Sequence, residues 1–492
     1  MDTRTIVNEV CGEAEPKLVL HFFEEICKIP HGSFHVEELS NWLVSYAQEK
    51  GLWYQQDEAY NVIIKKDATE GASSREPVIL QGHIDMVLEK TDDCPLDLVK
   101  DHIILKKDGD TLYADGTTLG ADDGIAVAMM LALLEDDTIP HPPLECVFTV
   151  NEEVGLLGAS ALDTSCLEGH RMINIDSEDE GIFTVGCAGG AEEHCTFPVG
   201  RKKYSGLLMQ ITINGLLGGH SGTCINMGRA NADILMGRIL HKLMKKIPLH
   251  LYSIEGGSKD NAIPRSCVAQ VLLDEREREH AEHLVEKLSQ QILHEYHLTD
   301  PGIQVSVEWL NTDSVKRPVK ALSHSDTRRI VDFLLLTPNG LVETDPMDQN
   351  LPQTSLNLGI LTMDADSVTA VFLVRSCINS QKKYLQKKVE RLVDILGGTT
   401  EVKGAYPAWE RVEKSPLCDE LVKIYESQTG KKPVVATIHG GLECGLLAAK
   451  IDGLDCVSIG PDLKDIHTPD EKMSLASAER TWKFLLAVLK EM

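Results

Sequence analysis

The chain predicts an α/β fold, a sheet covered by helices, interrupted by a second domain of α+β type. Three observations carry this reading. Residues 1–186 alternate apolar strand-like runs with amphipathic helical patterns, residues 187–398 change to longer half-buried strands, and residues 399–492 resume the first style. A chain of 492 residues exceeds what one hydrophobic core usually organises. A discontinuous first domain, split by the second, explains the return.

In chain order, HFFEEICKIP and VEELSNWLVSYAQEKG read as amphipathic helices, the second stopped by Gly51. A strand between Tyr60 and Lys65 precedes a loop through ATEGASSREP, the apolar strand VILQG and a hairpin in HIILKKDGDTLYADG. The helix GIAVAMMLALLEDD leads to LECVFTV and RMINID, two apolar runs that end in acidic residues. In the insert, LLMQITING, CVAQVLLDE, IQVSVEWL, SLNLGIL and TAVFLVRS look like half-buried strands. Between them ADILMGRILHKLMKK, EHAEHLVEKLSQQILHEY and RRIVDFLLLT read as helices. The final segment gives helix CDELVKIYESQTG, strand PVVATI, helix GLECGLLAAK, strand LDCVSIG and a terminal helix from about Leu475.

Composition narrows the function. Acidic residues outnumber basic ones 76 to 48, and the formal charge of -28 repels nucleic-acid phosphates and anionic membranes. The start MDTRTIVNEVCGEAEP lacks the apolar core of a signal peptide, and no run approaches the length that spans a bilayer. A soluble cytoplasmic protein with neither nucleic-acid nor membrane partners is the expectation. The 13 cysteines are odd in number and form no CxxC pair, which fits free buried thiols in a reducing compartment.

The chemistry lies where strands end. VILQGHIDM sets His83 and Asp85 two positions apart, on one side of the chain if it stays extended. Imidazole nitrogen and carboxylate oxygen suit zinc and its neighbours, although a lone HxD is a weak signal that reads better as a loop histidine beside a capping aspartate. TTLGADDGIAVAMM adds Asp122 and Asp123; one can cap the helix, and the other is free to lie between two cations. LECVFTVNEEVG ends an apolar strand with Glu152 and Glu153, and RMINIDSEDEG ends another with Asp176. His467 follows LDCVSIG in GPDLKDIHTPDE.

Four strand-like runs thus end in ligand types, and an α/β layout gathers such ends in one crevice. A consistent allocation makes Asp122 the bridge, with His83 and Asp176 on one cation and Glu153 and His467 on the other. Asp85 would orient His83 through its second ring nitrogen. Glu152 is left for proton transfer to and from an attacking water, although the two glutamates could exchange jobs. Hydrolysis of a small amide or peptide follows.

The motifs HID, GADDG, NEEVG, NID and HTPDE resemble those of the M20 metallopeptidases, in particular their histidine-dipeptidase branch, along nearly the whole chain. Gly124 stands where lysine often occurs in other branches, which fits that narrower likeness. The resemblance implies a zinc-peptidase-like catalytic domain with an inserted lid domain, assembled as a homodimer. It implies two divalent cations per subunit, zinc foremost with cobalt or manganese as substitutes, held by His83, Asp122, Glu153, Asp176 and His467. Glu152 matches the general base and Asp85 the histidine-orienting acid.

The same resemblance implies that His220 of GGHSG reaches from the partner's lid to steady a developing oxyanion. On the residues alone, GGHSG is a tight turn with an exposed histidine. Asn261 and Arg265 of DNAIPR are candidates for substrate contact or for shaping their loop. Arg375, after TAVFLV, is a candidate clamp for a terminal carboxylate, the alternative being a structural ion pair. HGGLECG lacks the lysine and hydroxyl residue of a phosphate loop. Its His439 and Glu443 instead suggest substrate recognition, Glu443 by attracting an amine. The expected substrates are short dipeptides, including Xaa-His and β-alanyl-histidine, with N-acyl-amino acids or other small amides as the alternative.

Overall fold

The computed structural model describes residues 8–72, 75–310 and 318–492. Residues 1–7 of the N-terminal reading and Ser73 and Ser74 of the loop ATEGASSREP lie outside them. Two compact units emerge: one runs through Cys187 and resumes over Trp409–Ile438 and Leu442–Met492, and the other comprises Ala188–Ala408 with His439–Gly441.

The first unit is built on an eight-stranded sheet in the order Trp53–Gln56, Val62–Lys66, Leu144–Thr149, Val78–His83, Arg171–Asn174, Asp455–Ser458, Ile182–Cys187 and Val434–Ile438. Strand Val78–His83 runs parallel to both Leu144–Thr149 and Arg171–Asn174, and Asp455–Ser458 runs parallel to Arg171–Asn174. VILQGH and LECVFT are buried at every position, as central parallel strands covered on both faces must be. The registers pair His83 with Thr149, and Asn174 with both Gln81 and Ser458. All four strands therefore finish at one end of the sheet, where their following loops emerge together.

Helix Ala121–Glu135 is apolar nearly all round and almost wholly buried, which suits a helix enclosed on every side. Two glycines let it sit so deep. A Cβ at Gly82 would lie 2.7 Å from Ala126 Cβ and 2.5 Å from Asp123 Oδ2, and one at Gly124 would lie 3.3 Å from the Phe23 ring. The helix is thus pressed between strand Val78–His83 and helix Lys17–Cys27. That packing delivers Asp122 and Asp123 to the strand ends.

The second unit is an antiparallel sheet ordered Gln304–Trp309, Leu207–Asn214, Cys267–Leu273, Leu249–Gly257, Pro352–Met363, Ser367–Ser376, Gly189–Pro198 and Thr399–Lys403, with Gly340–Thr344 also paired to Pro352–Met363. Burial alternates along Leu207–Asn214 and Gly189–Pro198, the signature of a sheet with one packed face. Helices Ala232–Met244, Arg278–Tyr296, His324–Leu336 and Asn379–Ile395 contribute to its core. Residue 399, where the sequence suggested a return to the first style, falls in a strand that pairs with Gly189–Pro198; the first unit resumes at Trp409. Thr399–Lys403 is short, polar and mostly exposed, so its pattern carries no apolar signal of its membership.

All thirteen cysteines are free thiols, most of them buried. Among the described residues, no helix is long and apolar enough to cross a membrane.

Candidate functional site

At the shared strand ends of the first unit, Asp122 stands between two histidines. Its Oδ1 lies 3.2 Å from His83 Nε2, and its Oδ2 lies 3.0 Å from His467 Nε2. The same His83 nitrogen is 3.6 Å from Asp176 Oδ1, and the same His467 nitrogen is 2.9 Å from Glu153 Oε1. Two histidine–carboxylate pairs therefore flank one shared carboxylate. Asp122 has an extended backbone (φ −88, ψ 100) although it falls in the first turn of Ala121–Glu135. Asp123 turns the other way, its Oδ2 accepting the His83 backbone N–H at 3.3 Å.

The turns that carry Glu153 and His467 are left-handed at non-glycine residues, with φ 54 at Asn151 and φ 60 at His467. Such conformations cost of order 1 kcal/mol each and concentrate at functional sites.

The donor set fits divalent cations. Glu153 Oε1 is buried and lacks a hydrogen bond of good geometry, with His467 Nε2 2.9 Å away, so an unsatisfied carboxylate oxygen and an imidazole nitrogen stand side by side. Atoms of His83, Asp122 and Glu153 lie within 4.8 Å of one another, as do those of His83, Asp123 and Asp176. Charge points the same way. Burial raises the carboxyls of Asp176, Glu153 and, most strongly, Glu152 and Asp123. At Asp122 burial acts in the same direction, but hydrogen bonds from His467 and His83 outweigh it and hold the group low. Burial disfavours a charged His467, yet Asp122 and Glu153 push it up to about 11. Two imidazoles cannot neutralise this many enclosed carboxylates, and a buried uncompensated charge is expensive.

The residues behind the cage hold it in shape. His83 Nδ1 lies 2.9 Å from the Asp85 backbone oxygen and 3.6 Å from its carboxylate, so the main chain makes the closer contact to the ring. The Asp85 carboxylate accepts from Ser33 Oγ at 2.8 Å and from the backbone N–H groups of Glu152 and Glu153 at 3.0 and 3.4 Å. It thereby ties the NEE turn to the HID strand. Glu471 does the same for the GADDG loop, its oxygens accepting from the N–H groups of Leu119, Gly120, Ala121 and Asp122 at 2.8 to 3.4 Å. Glu471 stands in the HTPDE motif, where no local pattern signals its role. Glu443 is fully enclosed; Oε2 accepts from Gln81 Nε2 at 2.6 Å and from Thr149 Oγ1, Oε1 has no donor, and burial pushes the group up to about 7.

The inserted unit carries its own polar cluster. His220 pairs with Ala262 across a two-residue ladder, and Ser221 N donates to Asn261 O at 2.8 Å, so exposed His220 and Asn261 share one rim. Asn357, unnoticed in the sequence, braces that rim by donating to Asp260 O and Ala262 O at 3.0 and 2.8 Å. Arg265 lays its stem over Gly218 and donates from Nε to Leu216 O at 3.3 Å, an arrangement that shapes the loop. His439 is buried with Nε2 2.7 Å from Ser355 Oγ, and burial with the nearby Arg375 pushes its ring down to about 3. Ser355 and Arg375 face each other across neighbouring strands.

A carboxylate-rich cage with two imidazoles at the strand ends of an α/β sheet is the hallmark of metal-dependent hydrolases. The chain belongs to Peptidase family M20/M25/M40, whose family model matches residues 79–491. It is 36% identical to the cytosol non-specific dipeptidase of Escherichia coli (strain K12), over 98% of each chain. Its fold superposes on the crystal structure of aminoacylhistidine dipeptidase from Vibrio alginolyticus with a TM-score of 0.86 at 35% identity, covering 98% of this chain and 97% of that one. Aminopeptidase PepT from Bacillus cereus shares the fold at a TM-score of 0.55 and 17% identity, over 98% of this chain and 99% of the other.

Proposed function

We propose that this chain is a cytoplasmic dipeptidase that uses two divalent cations, zinc foremost, to hydrolyse short dipeptides, Xaa-His and β-alanyl-histidine among them. The observation that carries the reading is Asp122, each of whose oxygens faces a different histidine–carboxylate pair. His83 and Asp176 would hold one cation, Glu153 and His467 the other, and Asp122 both. When bound, the cations supply Lewis-acid polarisation of the scissile carbonyl and a lowered water pKa. The two dipeptidase relatives, each matching nearly the full chain, support the substrate class.

Glu152 takes the proton from the attacking water and passes it to the leaving amine. Its carboxyl is raised by burial and by Glu153, Asp176 and Glu443 against the pull of His83, which suits a group that must both accept and return a proton. Arg375 receives the dipeptide's carboxylate, and His220, supplied by a second copy in a homodimer, steadies the oxyanion.

Rates on carnosine, ordinary dipeptides, tripeptides and N-acyl-amino acids test the substrate class; dipeptides should lead, and a lead by acylated amino acids would overturn it. Glu152→Gln should retain bound metal while turnover falls by roughly 10²- to 10⁴-fold. Unchanged turnover removes Glu152 from the proton path.

A further inference from the structure

Arg375 is a buried cation that pairs with no carboxylate among the described residues. Its Nε has no acceptor, and its Nη1 donates to the hydroxyl of Tyr406 at 3.1 Å. It is 6% exposed. Burying a guanidinium is costly unless a negative group completes it, so the site is arranged for an anion that arrives from outside. Tyr406 is the neutral group that occupies one of its donors in the meantime.

Tyr406 is itself gripped from several directions. Its backbone N–H donates to Gly190 O at 3.0 Å, and the buried Lys382 ammonium donates to both Tyr406 O and Gly190 O. Glycines wall its ring: a Cβ at Gly190 would lie 2.5 Å from the ring and its hydroxyl oxygen, and one at Gly441 would lie 3.0 Å from the same groups. Lys382 Nζ also stands 5.8 Å from the ring centroid. Neither glycine can gain a side chain without moving the phenol. A tyrosine held this tightly has a fixed hydroxyl, and a fixed hydroxyl sets the plane of the guanidinium that bonds to it.

We propose that Tyr406 is a positioning residue for substrate specificity, holding Arg375 in the orientation that pairs with a dipeptide's terminal carboxylate. The proposal rests on the reading of Arg375 as the carboxylate clamp. Tyr406 engages one guanidinium nitrogen, leaving Nε and the remaining nitrogen as an adjacent pair of donors for the two carboxylate oxygens. Its effect therefore falls on recognition of the free acid and not on proton transfer.

The test compares a dipeptide with its C-terminal amide in metal-loaded wild type, Tyr406→Phe, Gly441→Ala and Arg375→Ala. Tyr406→Phe, which keeps the ring, should raise KM for the free acid by roughly tenfold, keep kcat within about twofold and leave KM for the amide unchanged. Gly441→Ala, which crowds the hydroxyl, should shift the acid-to-amide preference in the same direction. If Arg375→Ala abolishes that preference while Tyr406→Phe preserves it, the positioning role is refuted and the clamp stands. An equal loss on acid and amide in Tyr406→Phe also refutes it, because that is the mark of a merely structural tyrosine. If Arg375→Ala itself keeps the preference, the clamp fails and the inference fails with it.

Discussion

Asp122 faces two histidines from the end of a loop that Glu471 holds. One carboxylate takes hydrogen bonds from four successive backbone N–H groups, 2% exposed and reached from the far end of the chain. Glu471→Ala should leave those donors unpaired, costing about 3 kcal/mol in urea unfolding and weakening metal binding measured by calorimetry. Wild-type metal affinity in that variant would show that the loop keeps its form unaided. Asp233 shows the opposite economy. Fully buried at the start of Ala232–Met244, it is faced by the weakly donating Cys267 thiol, and burial pushes it up to about 7 although that thiol pulls it down. The folded chain therefore keeps a proton that the unfolded chain sheds near pH 4. Stability should fall as pH rises between about 4 and 7, by up to about 1.4 kcal/mol per unit, and level off above. Melting curves of wild type and Asp233→Asn should diverge across that window in favour of the variant; parallel curves would mean the carboxyl finds a partner.

Among the elements, the meeting of strand Val78–His83 with helix Ala121–Glu135 matters most to the site. Gly82 precedes His83 and faces Asp123 and Ala126, so this one contact sets the spacing between the His83 strand and the Asp122 loop. Gly82→Ala should cost about 1–3 kcal/mol of stability by overpacking and lower metal occupancy, read by thermal melting and metal analysis. A variant with wild-type values for both would mean that the helix can retreat without disturbing the cage. Most elements of this kind were legible in their local pattern, including Gly51, which ends Glu37–Lys50 in a left-handed cap. Helix Asn379–Ile395 was not recognised, because its many charged residues mask a narrow apolar stripe. Leu385, Val389 and Val393, four residues apart, were the available signal.

For the whole molecule, the proposed homodimer makes its own prediction. Mixing an inactive Glu152→Gln copy with an inactive His220→Ala copy should restore roughly a quarter of wild-type activity at random pairing, since each mixed dimer regains one complete site. Stable mixed dimers that stay inactive would confine His220 to its own subunit.

The sequence by itself determined that apolar strands end in histidine and carboxylate and that one domain interrupts another, because strand periodicity and ligand chemistry are written within a few neighbouring residues. It put Asp122 forward as the bridge and left the jobs of Glu152 and Glu153 exchangeable. Only the tertiary structure decided that Asp122 rather than Asp123 faces both histidines, that Glu153 is the glutamate beside His467, and that Glu471 and Tyr406 act on residues others had to supply. The reason is distance along the chain: His467 meets Asp122 across 345 positions and Glu471 meets Gly120 across 351, contacts that no local pattern encodes and that exist only once the sheet has aligned its strand ends.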